Sequence, residues 1–191
     1  MNVTTWKVSS AATGPTETQL LYCACSTSHI NSLNTSNGAA VLKTIDPLIG
    51  PELLVALARM GHGDTIAVVD NNYPAYSAGV PVIRLDGVDV VEALQAILTL
   101  FPVDHFVSTP IARMAVVDDE ESVPEVAVQA VSLIESVEQR PVGVEVVERT
   151  AFYDRAKAVS AVVATGESRP YGCFILIKGV VTADGPQQRQ P

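Results

Sequence analysis

The stretch MGHGDTIAVVDNNYP, residues 60–74, indicates how the domain is built. Its centre, TIAVV at 65–69, is a short apolar run rich in β-branched residues, which predicts a strand that is buried on both faces. His62 lies between two glycines before this run, and Asp70 follows it directly. We therefore expect a buried strand with a titratable side chain at each end, the arrangement of an acid/base pair held by rigid backbone.

Segments of strand and helix character alternate around this stretch. Apolar runs predict strands at 65–69, 82–85, 111–117, 143–147, 161–165 and 174–177. Helical spacing of apolar residues predicts helices at 51–60, 89–100, 124–137 and 150–158, with the acidic run 118–121 at the entrance of the third. The alternation indicates an α/β fold: a single domain in which helices pack on the faces of a mostly parallel central sheet.

Composition excludes several classes of function. The chain has 191 residues, 12 of them Lys or Arg, and a formal net charge of −9. Affinity for phosphate backbones comes largely from basic side chains, so we expect no nucleic-acid partner and no anionic membrane surface. The apolar runs are also far shorter than the roughly 20 residues that cross a bilayer.

The two ends of the chain differ in composition from its middle. Residues 1–40 are rich in Ser, Thr and Asn, which predicts a disordered extension or a start codon assigned too early. Residues 182–191 are polar and proline-bearing, which predicts a flexible tail. The folded domain is therefore expected at 41–181.

The cysteines give no sign of a disulfide framework. Cys23, Cys25 and Cys173 are odd in number and form no CxxC pair, which favours a reducing, cytoplasmic location. Cys23 and Cys25 could supply metal ligands together with His29, but their segment carries no pattern of regular structure. We expect no metal site.

His62 and Asp70 each have two interpretations. The glycines around His62 leave its imidazole uncrowded for proton transfer near neutral pH, whereas the structural alternative is a cap on the preceding helix. Asp70 ends a strand on the side where open α/β sheets hold ligands, but an aspartate that merely opens the turn at 71–74 would also explain it.

Two later segments carry further polar side chains. In ERTAFYDRAK (148–157), Arg149 offers a fork of donors suited to sugar hydroxyls or carboxylates, although a surface ion pair with Glu148 or Asp154 would also explain it. In TGESRPYG (165–172), a turn-rich loop delivers Tyr171 just before a strand, either into a cleft or into packing.

Several segments together resemble the RbsD/FucU family of sugar mutarotases, and within it the L-fucose mutarotase branch. They are LKTIDPLIGPELLVALARMGHGD (42–64), VVDNNYPAYS (68–77), VIRLDGVDVVEALQAILTLF (82–101), ERTAFYDRAK (148–157), and TGESRPYG with FILIKGV (165–180). Five motifs in one order are far more specific than any one of them.

The resemblance implies an RbsD-like fold and an isomerase that interconverts the α and β anomers of a monosaccharide, with L-fucose as the expected substrate. It implies His62 as the acid/base residue, with sugar contacts from Asp70, Arg149 and the stretch Tyr171, Gly172 and Cys173. Tyr171 would either assist proton transfer or hydrogen-bond the sugar. It further implies no cofactor and a ring-like homo-oligomer, typically a decamer, with sites near subunit interfaces. The alternatives are a D-ribose pyranase or a non-catalytic monosaccharide-binding module.

Two departures and one distance qualify this expectation. The L-fucose branch has histidine where this chain has Asn72 and asparagine where it has Cys173, so sugar preference stays open. At about 3.3 Å per strand residue, His62 and Asp70 lie roughly 20 Å or more apart. Either the glycine turn folds His62 back over the sheet, or the two side chains meet across a subunit boundary.

Overall fold

The computed structural model describes residues 42–119, 121–182 and 185–186. The predicted extension, 1–40, lies outside the described residues, as does most of the predicted tail. Within the described parts of the chain, no helix is long and apolar enough to cross a membrane.

The elements follow one another in the alternating order that the sequence predicts. The helices are α1 (Pro51–Arg59), α2 (Val90–Leu98), α3 (Glu125–Glu138) and α4 (Arg149–Ala156), with a 3₁₀ turn at Ala75–Ala78. The main strands are β1 (Thr65–Val69), β2 (Val82–Leu85), β3 (Ile111–Met114), β4 (Val144–Val147), β5 (Ala161–Thr165) and β6 (Phe174–Ile177). A short ladder of β7 (Val181–Thr182) and β8 (Gly185–Pro186) follows.

Six strands form one mixed sheet in the order β2-β5-β1-β6-β3-β4. The pairs β2/β5, β1/β5 and β3/β4 are parallel, and β6 runs antiparallel to both of its neighbours, β1 and β3. The predicted α/β class and mostly parallel sheet are confirmed. Because β6 is reversed, its last residues lie beside the first residues of β1 and β3, and its first residues lie beside their carboxyl ends.

Helices cover both faces of this sheet. Ile66 and Val68 of β1 belong to the core beneath α1, α2 and α3, whereas Ala67 and Val69 belong to the core beneath the 3₁₀ turn and α4. All four side chains are fully buried. Burying a Val, Leu or Ile side chain contributes about 1.5–3 kcal/mol, so β1 is the central support for whatever lies at its two ends.

Local signals explain where the helices begin. Pro51 occupies the first turn of α1, where its missing N–H costs nothing. The Asp89 carboxylate accepts the N–H of Glu92 at the start of α2, at 2.9 Å. Glu148 similarly accepts the N–H groups of Thr150 and Ala151 at the start of α4.

The structure differs from the sequence prediction between β3 and α3. The strand ends at Met114 rather than at 117, because Asp118 adopts a left-handed conformation with φ 63° and turns the chain back so that Val116 pairs with Asp119. Asp118 and Asp119 of the acidic run therefore lie in this turn, and Glu125 is the acidic residue in the first turn of α3.

Candidate functional site

A cavity of about 140 Å³ lies where the carboxyl ends of β1, β3 and β4 meet the start of β6. The topology explains its position, because parallel strands bring their ends to one edge and the reversed β6 adds the loop that precedes it. The residues that line it are Asp70, Asn72, Tyr73, Met114, Arg149, Tyr153, Pro170, Tyr171 and Cys173. Four predicted sugar contacts from distant parts of the sequence thus share one cavity.

Asp70 serves both as a turn residue and as a cavity residue. Its carboxylate accepts the N–H of Asn72 at 3.0 Å, which forms the turn after β1, and it accepts the Cys173 thiol at 3.3 Å. Burial, together with the charge of Asp70, raises the pKa of Cys173 well above its ordinary value. The thiol therefore stays protonated and donates to the carboxylate.

Arg149 does not form either of the ion pairs that the sequence allowed. The Glu148 carboxylate caps α4 instead, and Asp154 pairs with Lys157 at 2.6 Å. Within the described residues Arg149 has no ion pair, and its side chain lines the cavity. A cationic fork of donors is thus available to a ligand.

Two tyrosines form an aromatic wall that the sequence prediction of the site leaves out. The rings of Tyr73 and Tyr153 meet edge to face, with centroids 5.3 Å apart. Burial is the leading cause that raises the pKa of both Tyr73 and Tyr153, so both phenols are neutral. Aromatic residues at these positions give no sequence signal that separates a binding role from core packing.

The loop before β6 adopts a strained conformation at Tyr171. Its φ is 63°, a left-handed value that L-residues seldom adopt, and its hydroxyl accepts the N–H of Val117 at 3.3 Å. Gly172 is buried beside it, and a Cβ there would lie 3.0 Å from Cγ of Glu167. A Cβ at this position would therefore be in tight contact with the Glu167 side chain.

Glu167 supports two walls of the cavity and was not predicted. Its side chain is 2% exposed and accepts three bonds from Arg169, including one from Nη2 at 2.6 Å. Its carbonyl oxygen accepts the N–H of Asn71, in the turn that also contains Asn72. The interaction with Arg169 is the leading reason that the pKa of Glu167 is lowered.

His62 lies at the other end of β1 and does not line the cavity. Its Nε2 lies 3.2 Å from Oδ1 of Asp104, and its ring packs against Phe106 with centroids 5.2 Å apart. At the end of α1, the backbone N–H of Met60 donates a hydrogen bond to the carbonyl of Leu57. The glycine turn thus does not fold His62 over the sheet to Asp70.

A second cavity, of about 240 Å³, contains none of the predicted site residues. It is lined by Thr65, Thr109, Ala112, Glu145, Arg155, Ala158, Ile175 and Ile177. Arg155 and Glu145 in its wall pair with each other at 2.7 Å, so their charges are already satisfied. Size alone therefore does not identify the functional cavity.

The described residues contain no group of three or more His, Cys, Asp or Glu side chains that could hold a metal ion. The metal ligands considered from the sequence, Cys23, Cys25 and His29, lie outside the described residues.

Comparison with known proteins identifies a matching family and related sequences. The family model described as the RbsD / FucU transport protein family matches residues 43–181. An L-fucose mutarotase from Actinobacillus pleuropneumoniae serotype 5b is 46% identical over 140 residues, which is 73% of this chain and 97% of that protein.

Two solved structures show the same fold. The fucose mutarotase of Streptococcus pneumoniae, solved in complex with L-fucose, is 40% identical with a TM-score of 0.69, and the match covers 74% of this chain and all of that one, 100%. Bacillus subtilis RbsD complexed with D-ribose is 23% identical with a TM-score of 0.55, covering 70% and 95%, and supports the fold alone. The predicted resemblance is confirmed, and the chain belongs to the RbsD/FucU family.

Proposed function

We propose that this protein is an L-fucose mutarotase, an isomerase that interconverts the α and β anomers of the free sugar. The observation that carries the proposal is the cavity that gathers Asp70, Arg149, Tyr171 and Cys173 in a chain of this family. Relatives named L-fucose mutarotase at 46% identity support L-fucose as the substrate.

The chemistry of the cavity suits a small deoxysugar. The Asp70 carboxylate accepts from sugar hydroxyls, and the Arg149 guanidinium donates to them. The rings of Tyr73 and Tyr153 and the thioether of Met114 supply an apolar side for C–H groups. A volume of about 140 Å³ is below the roughly 300–1,000 Å³ of pockets for drug-sized ligands, which favours a monosaccharide.

Interconversion of anomers needs two proton transfers and no change of oxidation state. A base removes the proton of the anomeric hydroxyl while an acid protonates the ring oxygen; the bond between C1 and the ring oxygen breaks, and a C1 carbonyl forms. The protonated ring oxygen is now a free hydroxyl. After rotation about the C1–C2 bond, this hydroxyl attacks the other face of the carbonyl, and both proton transfers reverse. Atoms and charges balance, so we expect no metal or organic cofactor. Acid/base assistance worth roughly 10²–10⁴ suffices.

In this proposal His62 is the proton-transfer residue and a neighbouring subunit contributes it. Within one chain, β1 separates His62 from Asp70 by roughly 20 Å or more, so one sugar cannot touch both. We propose a homo-oligomer, with a decamer as the expected form, in the cytoplasm. Tyr171 assists proton transfer or hydrogen-bonds the sugar from the chain that binds it.

Exchange NMR at the anomeric protons tests the proposal. L-fucose, D-ribose and galactose are each compared with and without protein, and with the His62→Ala variant. We expect faster exchange on L-fucose that is lost in the variant. Faster exchange on D-ribose alone would make the protein a ribose pyranase. Binding with no faster exchange on any sugar would reject the enzyme in favour of a binding module.

A further inference from the structure

The loops that carry His62 and Asp104 are both anchored to the end of β6. The N–H of Gly63 donates to the carbonyl of Lys178 at 2.9 Å, and the N–H of Asp104 donates to the carbonyl of Ile177 at 3.0 Å. These bonds exist because β6 runs antiparallel to both β1 and β3. Two loops 42 residues apart in sequence are thus held at a fixed separation by one strand end.

Further bonds fix the backbone around Asp104. Nη2 of Arg140 donates to the carbonyls of Val103 and Asp104, at 3.0 Å each. The carboxylate of Glu138 accepts the N–H of Val103 at 2.9 Å. A loop tied to both α3 and β6 in this way cannot move its carboxylate independently of the sheet.

The Asp104 carboxylate is buried and faces the imidazole. Its side chain is 2% exposed, whereas that of His62 is 48% exposed. Burial alone would raise the pKa of Asp104, but the N–H of Phe106 and the imidazole of His62 outweigh it and lower the pKa overall. The group beside Nε2 of His62 is therefore an anion that accepts hydrogen bonds.

We infer that Asp104 is a positioning residue that holds His62 in the Nε2–H tautomer, so that Nδ1 is the nitrogen that exchanges protons with the sugar. The inference rests on the proposed mutarotase function. A carboxylate bonded to one ring nitrogen fixes both the tautomer and the ring orientation, and leaves the other nitrogen with a free lone pair. The Phe106 ring, tilted against the imidazole with an interplanar angle of 59°, adds a second restraint on its rotation.

The assignment specifies the first step of the reaction. Nδ1 takes the proton of the anomeric hydroxyl and becomes N–H, while Nε2 keeps its own proton. The bond between C1 and the ring oxygen breaks, a C1 carbonyl forms, and the acid of the general scheme protonates the ring oxygen. The imidazolium that forms is stabilised by the Asp104 anion, which remains ionised throughout. When the ring closes, Nδ1 returns the proton and the neutral Nε2–H tautomer is restored. Asp104 itself never touches the sugar.

Long-range ¹H–¹⁵N NMR of the unmodified protein tests the tautomer without any variant. The spectrum is recorded at a pH where the imidazole is neutral, and His62 is assigned by its absence in His62→Ala. We expect the protonated nitrogen to be Nε2. A spectrum with the proton on Nδ1 overturns the inference.

Three variants test the effect on rate. Asp104→Ala removes the acceptor, and we expect kcat to fall at least roughly 10-fold, with little change in KM and a mixture of tautomers. Asp104→Asn keeps an oxygen acceptor and should restore part of both the rate and the tautomer. Asp64→Asn is the matched control, because Asp64 lies in the same turn but bonds the N–H of Gly61 instead of the ring, and it should leave kcat unchanged.

The outcomes separate this inference from the proposed function. If the unmodified protein does not accelerate anomer exchange, the mutarotase proposal fails. If it does, and His62→Ala abolishes the effect while Asp104→Ala keeps a wild-type kcat, only the role of Asp104 is overturned. A loss of thermal stability in Asp104→Ala with unchanged kcat per folded molecule would likewise assign Asp104 a structural role alone.

Discussion

The two ends of β1 are built in different ways. At the carboxyl end, Asp70 is 5% exposed and opens onto a cavity whose walls come from four separate segments. At the amino end, the His62 side chain is 48% exposed and contacts a buried carboxylate and an aromatic ring. One end encloses a cavity, whereas the other leaves an imidazole half exposed.

This difference suggests that the two ends of β1 have different roles. A binding residue must be enclosed with its ligand, whereas a proton-transfer residue that serves another chain must be oriented but left accessible. Asp104 provides the orientation, and the half-exposed imidazole provides the access. The comparison therefore predicts that the two ends act together only between subunits.

Mixing inactive subunits tests this division most directly. We expect His62→Ala and Asp70→Ala each to lose the acceleration of L-fucose anomer exchange, roughly 10²–10⁴ for loss of the proton-transfer residue. After partial dissociation and reassembly, mixed oligomers should regain part of the activity, measured by exchange NMR. His62→Ala mixed with His62→Gln is the control and should regain none. If mass spectrometry verifies that subunits have exchanged and no activity returns, a site shared between subunits is contradicted.

The strands could be read from the sequence because each is an apolar run with clear boundaries. The predicted limits of β1, β2, β5 and β6 agree with the structure residue for residue. The order of strands could not be predicted, because the insertion of β6 between β1 and β3 depends on pairings between distant residues. That insertion places the start of β6 at the cavity and the end of β6 beside the loops that carry His62 and Asp104.

The residues that line the cavity were easier to predict than the residues that support it. Asp70 and Tyr171 lie at the boundaries of apolar strands, where a polar residue is noticeable. Asp104 lies in 101–110, which has no periodicity, and its partner is 42 residues away. Glu167 is buried by a contact with Arg169 that no local pattern indicates. Supports of this kind follow from the assembled fold.

Arg149→Met should weaken sugar binding while leaving the His62 end unchanged. Methionine keeps much of the side-chain length but removes the charged donors, and a hydrogen bond to a charged group is worth about 1.5–3 kcal/mol. We expect KM to rise by roughly 10- to 100-fold with a smaller change in kcat. Arg84→Met is the control, since Arg84 pairs with Asp86 at an exposed site away from the cavity. An unchanged KM would remove Arg149 from the binding site.

Glu167→Gln should reduce stability at neutral pH by about 1–3 kcal/mol, because it leaves the Arg169 contact weakened at a buried position. The pKa of Glu167 is lowered in the folded state, chiefly by Arg169, so its contribution is present above the unfolded pKa and is lost as the pH falls through the folded pKa. Denaturant unfolding at several pH values should therefore show that the difference in free energy of unfolding between variant and wild type becomes smaller as the pH falls. The matched surface change, Glu145→Gln, removes an exposed pair with Arg155 and should cost less than about 1 kcal/mol. A gap that stayed constant with pH would mean that the Glu167 carboxylate does not stabilise the loop through its charge.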